Sequence, residues 1–351
     1  MKKHEFYLQR CIQLAKNATG NTYPNPLVGS VIVHQNKIIG EGWHQKAGEP
    51  HAEVNAVNSV KDQSLLKDAT IYVSLEPCSH FGKTPPCSDL IIAKKIKKVV
   101  IGTMDPFAKV SGRGIQRLIS AGCDVTLGVL EEECQELNKR FFTFHKHQRA
   151  YIILKWAQTQ DGFIAPKTQD AREPVWITNS NSKQLVHKWR SEEQSILVGT
   201  QTAIKDNPQL NTRLWEGKNP VRVVLDQNMR IPKDSHLFDG SIKTIIITSV
   251  HTEISSEVNK ENISIEKVDF SKNLANQICS VLYQHELQSV IIEGGKQTLQ
   301  TFIDANLWDE ARVFTGDCLF KNGVKAPSFT GNLREKQNAG TDLLEIYKNE
   351  L

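Results

Sequence analysis

Tyr7, Cys11, Leu14, Ala15 and Ala18 recur at three- and four-residue intervals, and this spacing predicts an amphipathic helix over residues 5–18. The pattern then changes. Residues 28–33 form a β-rich run, and a turn through Gln35 and Asn36 leads to Ile38 and Ile39, which predicts a hairpin. Helix and strand signals alternate from there: helix 51–60, strand 69–75, helix 88–95, strand 98–103, helix 115–121, strand 125–129, and a charged helix over 131–147. Alternation of this kind predicts a sheet covered by helices.

A basic seam at residues 145–149 ends this region, and a fresh set of elements begins. Strands are predicted at 151–155, 196–199, 221–226, 244–248, 289–293 and 311–314, with helices at 182–189, 274–285 and 297–306. Residues 251–272 are polar and read as irregular, and no repeat or low-complexity tract is visible. The expected organisation is two α/β domains, 1–147 and 148–351. A length of 351 residues suits two domains, and a hydrophobic share of 39% is ample for their cores.

Net charge is only +4, so the balance calls for neither nucleic acid nor a membrane surface. The N-terminal lysines lack the apolar run of a signal peptide, and no stretch approaches the ~18 apolar residues of a membrane span. Seven cysteines without regular spacing fit reduced thiols and a cytoplasmic location. Five of them, Cys11, Cys123, Cys134, Cys279 and Cys318, are read as packing residues.

The remaining two change the picture. His51-Ala52-Glu53 is followed by Glu76-Pro77-Cys78-Ser79-His80 and then Pro85-Pro86-Cys87. One imidazole and two thiols supply three ligands for a zinc ion and leave the fourth tetrahedral position open, which separates a catalytic zinc from a structural one. Glu53 is close enough to reach that position without ligating the metal, and a carboxylate there can move the protons of a hydrolytic deamination. Separately, an H-x-E or a pair of cysteines nine apart is weak, since most such thiols are simply buried. Together, with the prolines before each cysteine, they are strong. His51 and Cys87 fall at predicted helix starts, where positive potential favours a thiolate.

Other constellations are less decisive. Asn25, between Pro24 and Pro26, could hydrogen-bond a base-like ring or could simply make a turn. His44, His80 and Lys83 are polar candidates near the zinc loop; Lys83 could meet a substrate phosphate, though a lone lysine is usually solvated. Glu293-Gly294-Gly295 ends a strand before a helix, where backbone N–H groups can approach a phosphate, or where two glycines merely make a tight turn. It is not the GxGxxG fingerprint. Thr202, Asp206, Leu210 and Arg213, around Asn207-Pro208, read on their own as an ordinary loop.

Taken in order, the two halves resemble the bifunctional deaminase–reductases of riboflavin biosynthesis over nearly the whole chain. Pro24-Asn25-Pro26-x-Val28-Gly29, the two zinc-loop segments through Cys87, Asp105-Pro106 and Gly112-Arg113-Gly114 carry the resemblance in the first half. Leu154-Lys155, Asp161-Gly162, Trp176-Ile177-Thr178, Arg190, Asp206-x-Pro208-x-Leu210 and Glu293-x-Gly295 carry it in the second. It implies a cytidine-deaminase-like three-layer α/β/α domain followed by a dihydrofolate-reductase-like α/β domain. It further implies zinc-dependent deamination of 2,5-diamino-6-ribosylamino-4(3H)-pyrimidinone 5′-phosphate, then NADPH-dependent reduction of the ribosyl chain to give 5-amino-6-(5-phosphoribitylamino)uracil. By matching position, His51, Cys78 and Cys87 would bind one Zn2+ per chain and Glu53 would be the proton donor. Ala157, Trp176, Thr202, Asp206 and Gly295, Lys296, Gln297, Thr298, Leu299, Gln300 and Thr301 would contact NADPH. Arg190, Leu210, Arg213 and Glu293 would hold the sugar phosphate. From the residues themselves, Asn25 and Lys83 are the expected substrate contacts in the deaminase. Two positions depart from the resemblance: Pro174 and Gln227 stand where serines are usual, both among the reductase contacts.

A small phosphorylated pyrimidine is thus the expected partner, with no nucleic acid, no membrane and a homo-oligomeric assembly. Two other readings of the zinc cluster stay open on the residues alone. A nucleic-acid-editing protein would show a basic, aromatic-studded face. A non-catalytic zinc scaffold would need a fourth protein ligand such as His80.

Overall fold

The computed structural model describes residues 2–79, 85–107, 111–168, 172, 175–254 and 261–349. The chain divides into two compact units, Met1–Gln148 and Arg149–Leu351. In the first, the elements run α1 (Lys2–Lys16), β1 (Gly29–His34), β2 (Lys37–Trp43), α2 (Ala52–Ser59), β3 (Thr70–Leu75), α3 (Cys87–Ala93), β4 (Lys98–Thr103), α4 (Arg113–Ser120), β5 (Asp124–Leu127), α5 (Glu131–Leu137) and α6 (Lys139–His147). They build a five-stranded sheet in the order β2-β1-β3-β4-β5. β1 is antiparallel to both neighbours, and β3, β4 and β5 are parallel.

Alternate residues of each strand bury against opposite faces, as the pleat requires. Ile32, Ile71, Val73, Val99 and Ile101 pack with Ala56 and Val57 of α2, Ile91 of α3 and Leu118 of α4. Val31, Val33, Tyr72 and Val100 pack with Leu8, Cys11 and Ile12 of α1 and Cys134 of α5. The result is a three-layer α/β/α sandwich. The single helix expected over 131–147 is instead two, broken at Asn138. The Asn138 side chain stands at the break: its Oδ1 accepts the Leu27 N–H at 2.8 Å and its Nδ2 donates to the Leu27 carbonyl at 2.8 Å. This long-range bridge ties Asn138 to the loop before β1 at the point where α5 ends and α6 begins.

The second unit contains β6 (Tyr151–Thr159), β7 (Phe163–Pro166), α7 (Ser180–Glu192), β8 (Ser195–Gly199), α8 (Thr200–Asp206), β9 (Val221–Leu225), β10 (Thr244–Ser249), β11 (Ile263–Val268), α9 (Leu274–Gln284), β12 (Ser289–Glu293), α10 (Lys296–Asp304), β13 (Glu310–Gly316), β14 (Gly323–Lys325), β15 (Asn332–Ala339) and β16 (Asp342–Lys348). Nine strands form one sheet in the order β11-β10-β9-β8-β12-β6-β13-β16-β15, and β14 pairs with β7 separately. The sheet is parallel from β11 to β13 and ends in an antiparallel hairpin.

Val186 and Trp189 of α7 and Ala203 of α8 cover one face. Ile278 and Leu282 of α9 and Leu299 and Phe302 of α10 cover the other. Strands buried on both faces read as continuous apolar runs, so most were legible in the sequence. The exceptions follow the same logic. β15 is an exposed edge strand of sequence NLREKQNA, with no buried face to demand alternation. β11 lies within the stretch read as irregular, α8 within the stretch read as a loop, and β7, β14 and β16 were not predicted.

Candidate active sites

At the end of β3 the chain leaves the sheet as Glu76-Pro77-Cys78, beside the starts of α2 and α3. His51 occupies the residue before α2, and Cys87 is the first residue of α3 rather than the one preceding it. Three segments distant in sequence thereby converge. His51 Nδ1 lies 3.5 Å from Cys78 Sγ and 3.3 Å from Cys87 Sγ, and the three ligand atoms all fall within 4.8 Å of one another. Ligand atoms around a tetrahedral zinc, at ~2.0–2.3 Å from the metal, stand about 3.5 Å apart, so donor set and spacing both fit the ion. The Cys87 N–H donates to Cys78 Sγ at 3.3 Å. The two thiols share one hydrogen bond: it and then His51 hold Cys78 well below the usual thiol range, and the same bond with burial pushes Cys87 up.

Glu53, two residues along α2, is 3% exposed, and burial pushes its carboxyl up to about 7. A buried acid with a pKa near neutrality can both take and give a proton.

Two further features support this cluster. The Glu76 carboxylate, 4% exposed, accepts backbone N–H groups of Gly112 at 3.0 Å and Gly114 at 2.9 Å, and so anchors the segment leading to Cys78 to the start of α4. Only glycine fits at 114, because a Cβ there would sit 2.0 Å from the Pro77 carbonyl oxygen. Asn25 and His44 form the second feature. His44 Nδ1 lies 3.2 Å from the Pro50 carbonyl, which can only accept, so the proton is on Nδ1 and Nε2 is an acceptor. Asn25 Nδ2, 3.1 Å from Nε2, therefore donates, which fixes its amide orientation and leaves Oδ1 as the free acceptor. The His44 and His51 rings meet edge to face at 5.5 Å. Lys83 and His80 lie outside the described residues, as does Pro174.

In the second unit a cavity of about 920 Å3 opens at the carboxyl ends of β8, β9 and β12, where ligands of open parallel sheets bind. Ala157, Trp176, Thr202, Asp206 and all seven residues from Gly295 to Thr301 line it, and so do Arg190, Leu210, Arg213 and Glu293. Leu299 is at the same time fully buried in the core. Gln227 also lines the cavity.

The floor of the cavity suits a phosphate-bearing cofactor. Gly294 has φ +112° and a Cβ there would lie 2.8 Å from Thr202 Oγ1. Thr202 Oγ1 in turn accepts the Gly295 N–H at 2.9 Å, setting the turn before α10. Backbone without side chains at a helix start lets a phosphate approach the helix N-terminus closely.

At the other end Arg190 grips Glu293, with Nε 3.3 Å and Nη2 2.9 Å from its two oxygens. Lys155 Nζ lies 3.9 Å from the same carboxylate. Burial acts to raise the Glu293 pKa, but Arg190 and Lys155 outweigh it and hold the carboxyl at about 2. Burial also lowers Lys155 from its usual value. Sequence reasoning did not assign a role to Lys155, His187, His44 or Glu76. The signal for Lys155 was present: it is the one charge in the strand YIILKWAQT.

Comparison with known proteins assigns both units. The family described as the cytidine and deoxycytidylate deaminase zinc-binding region matches residues 1–103, and the family described as the RibD C-terminal domain matches residues 150–336. The fold and the sites thus define a zinc deaminase of cytidine-deaminase-like fold joined to an NADPH-using reductase of dihydrofolate-reductase-like fold. A riboflavin biosynthesis protein RibD from Aquifex aeolicus is 38% identical over 353 residues, covering 97% of each chain. A RibD from Actinobacillus pleuropneumoniae is 40% identical over 299 residues, covering 82% of this chain and 77% of that one. A solved Thermotoga maritima structure, a diaminohydroxyphosphoribosylaminopyrimidine deaminase/5-amino-6-(5-phosphoribosylamino)uracil reductase, superposes with a TM-score of 0.88 at 36% identity, covering 99% of both chains. The chain belongs to the RibD family of bifunctional riboflavin-biosynthesis enzymes.

Proposed function

We propose that the first unit deaminates 2,5-diamino-6-ribosylamino-4(3H)-pyrimidinone 5′-phosphate, and that the second reduces the ribosyl chain of the product to ribityl. The end product is 5-amino-6-(5-phosphoribitylamino)uracil. The observation carrying this reading is the buried Glu53 carboxylate standing beside three converged ligands without belonging to them.

His51, Cys78 and Cys87 would hold the zinc, which when bound would supply the Lewis acidity that makes water a nucleophile near neutral pH. Glu53 accepts a proton from the water that adds to C2 of the ring. It passes that proton to the ring nitrogen, then takes the proton of the new C2 hydroxyl and gives it to the departing amine, so ammonia leaves and a carbonyl remains. Asn25 offers Oδ1 to a donor on the pyrimidine, with its orientation set by His44. Lys83 is assigned to the same substrate.

The cavity residues Ala157, Trp176, Thr202, Asp206 and 295–301 receive NADPH, which when bound supplies the hydride. Arg190 and Arg213 bind the substrate phosphate, while Leu210 and Glu293 shape the sugar end. Lys155 stands there as the proton source for the ring oxygen released when the sugar opens. Both units then act on one small phosphorylated pyrimidine, without nucleic acid or membrane.

Among the described residues no helix is long and apolar enough to cross a membrane. None of the seven cysteines is paired in a disulfide, which supports a cytoplasmic setting. A homo-oligomeric assembly is part of the same proposal, and light scattering on the purified protein tests it.

Incubation of the purified, zinc-loaded protein with the diaminopyrimidinone phosphate, followed by mass spectrometry, tests the chemistry. Exchange of one amine for oxygen is expected without cofactor, and a further gain of two hydrogens with NADPH. A product unchanged in mass under both conditions would remove the proposal.

A further inference from the structure

His187 lines the substrate end of the cavity and is 4% exposed. It precedes Arg190 by one turn of α7, so both side chains project from one face of the helix. The Arg213 backbone N–H donates to His187 Nδ1 at 3.1 Å. A peptide N–H can only donate, so Nδ1 carries no proton and the imidazole is neutral, with its hydrogen on Nε2. Arg190 holds the other end of the same short segment, its Nη1 donating to the Asn211 carbonyl at 3.2 Å. The Arg213 guanidinium folds back onto Asn211, with Nη1 2.9 Å from Oδ1. Two residues one helical turn apart therefore pin residues 211–213 at a carbonyl and at an amide.

We propose that His187 is a positioning residue: by accepting the Arg213 amide it fixes the separation of the Arg190 and Arg213 guanidinium groups, and so sets how tightly the reductase holds a phosphorylated substrate. The inference rests on the reading that those two arginines bind the phosphate. The residue type fits the task. A cationic side chain would repel both arginines, and a carboxylate would ion-pair with them in competition with phosphate. A neutral imidazole accepts the hydrogen bond and does neither. Burial and then the two arginines push its pKa down to about 4, so the acceptor persists at neutral pH.

The test uses the full-length, zinc-loaded enzyme and the deaminated substrate, with and without its 5′-phosphate, at saturating NADPH. H187F keeps a ring and removes the acceptor; H187N restores an acceptor near the position of Nδ1. H187F is expected to raise KM for the phosphorylated substrate about tenfold, the worth of one well-placed hydrogen bond. Its kcat and its KM for the dephosphorylated analogue should hold, and H187N should recover most of the loss. H187Q, which displaces the acceptor without opening a void, replaces H187F if that variant does not fold. An equal loss on both substrates, with H187N no better than H187F, overturns the inference. R213A separates the two layers. Phosphate preference surviving in R213A overturns the underlying reading and this inference with it. Preference lost in R213A but retained in H187F overturns the inference alone.

Discussion

The chemistry proposed for the first unit is concentrated in His51, Glu53, Cys78 and Cys87, whereas the contacts proposed for the second are spread over a cavity lined from Lys155 to Val324. The difference reflects what each reaction asks of the protein. A metal-dependent hydrolysis needs a few atoms at fixed short distances, and helix starts deliver them from short stretches of chain. Hydride transfer between two large ligands needs surface, drawn from many elements, and the cofactor brings the reactive group. Damage to the first unit should therefore be all-or-none and damage to the second graded.

The largest expected effect tests the concentrated site. Glu53→Gln keeps the shape of the side chain and removes its proton chemistry, so zinc content should stay at one per chain. Ammonia release should fall by at least about a hundredfold. NADPH oxidation with pre-deaminated substrate should be unchanged. Metal analysis beside the two assays checks all three, and a variant that still releases ammonia at the parent rate would end the assignment of Glu53.

The same contrast decided what could be read from the chain. The zinc ligands sit in motifs whose residue types and neighbouring prolines were visible together, so their convergence at 3.3–3.5 Å was foreseeable. The cavity was different. Gly294 and Gly295 could be read as a phosphate cradle or as a tight turn, and only the Thr202 hydroxyl shows why no side chain fits at Gly294. His187 gave no signal, because its partner is a backbone amide 26 residues away. Long-range pairing with the main chain leaves no mark on residue type. The buried strands were legible from their apolar runs, while β15 was not, because an edge strand owes nothing to a core.

Arg190→Ala comes next in size. It strips Glu293 of its two-pronged partner and leaves only Lys155 at 3.9 Å. Breaking a largely buried pair from one side costs roughly 3 kcal/mol, which should lower the second unit's Tm by roughly 5–10 °C. KM for the phosphorylated substrate should rise together with the loss of stability, and deaminase turnover should not change. A Tm equal to the parent's would show that the ion pair contributes nothing to folding.

Acid should expose the same cluster more gently. The Glu293 carboxyl is held at about 2 against an ordinary value of 4.5. The unfolded chain binds the proton first, so the stability this group contributes is complete above pH 4.5 and is lost as pH falls toward 2. The loss is at most about 3 kcal/mol. His187 acts earlier, its neutral form losing ground to the unfolded state between pH 6.5 and about 4. Denaturant melts of the second unit should therefore weaken in two stages, and Glu293→Gln should flatten only the lower one. A lower stage unchanged in that variant would assign the acid sensitivity elsewhere.

The smallest effect lies at the rim, where the graded character of the second site should be clearest. Trp176 is 55% exposed, and Lys183 Nζ sits 3.6 Å from the centre of its ring. Both line the cavity, and Trp176 is among the residues assigned to the cofactor. An exposed cation–π contact is worth about 0.5–1 kcal/mol. It lies outside the buried core, so its loss should not disturb folding; it should only let the indole turn more freely before NADPH arrives. Lys183→Met keeps most of the aliphatic stem and removes the charge, and KM for NADPH should rise about two- to fivefold. KM for the pyrimidine and the melting temperature should stay as they were. Steady-state titration of NADPH resolves a change of that size. A shift confined to kcat would instead mean that Lys183 acts on the reacting atoms, and the rim would then be as concentrated in its chemistry as the zinc site.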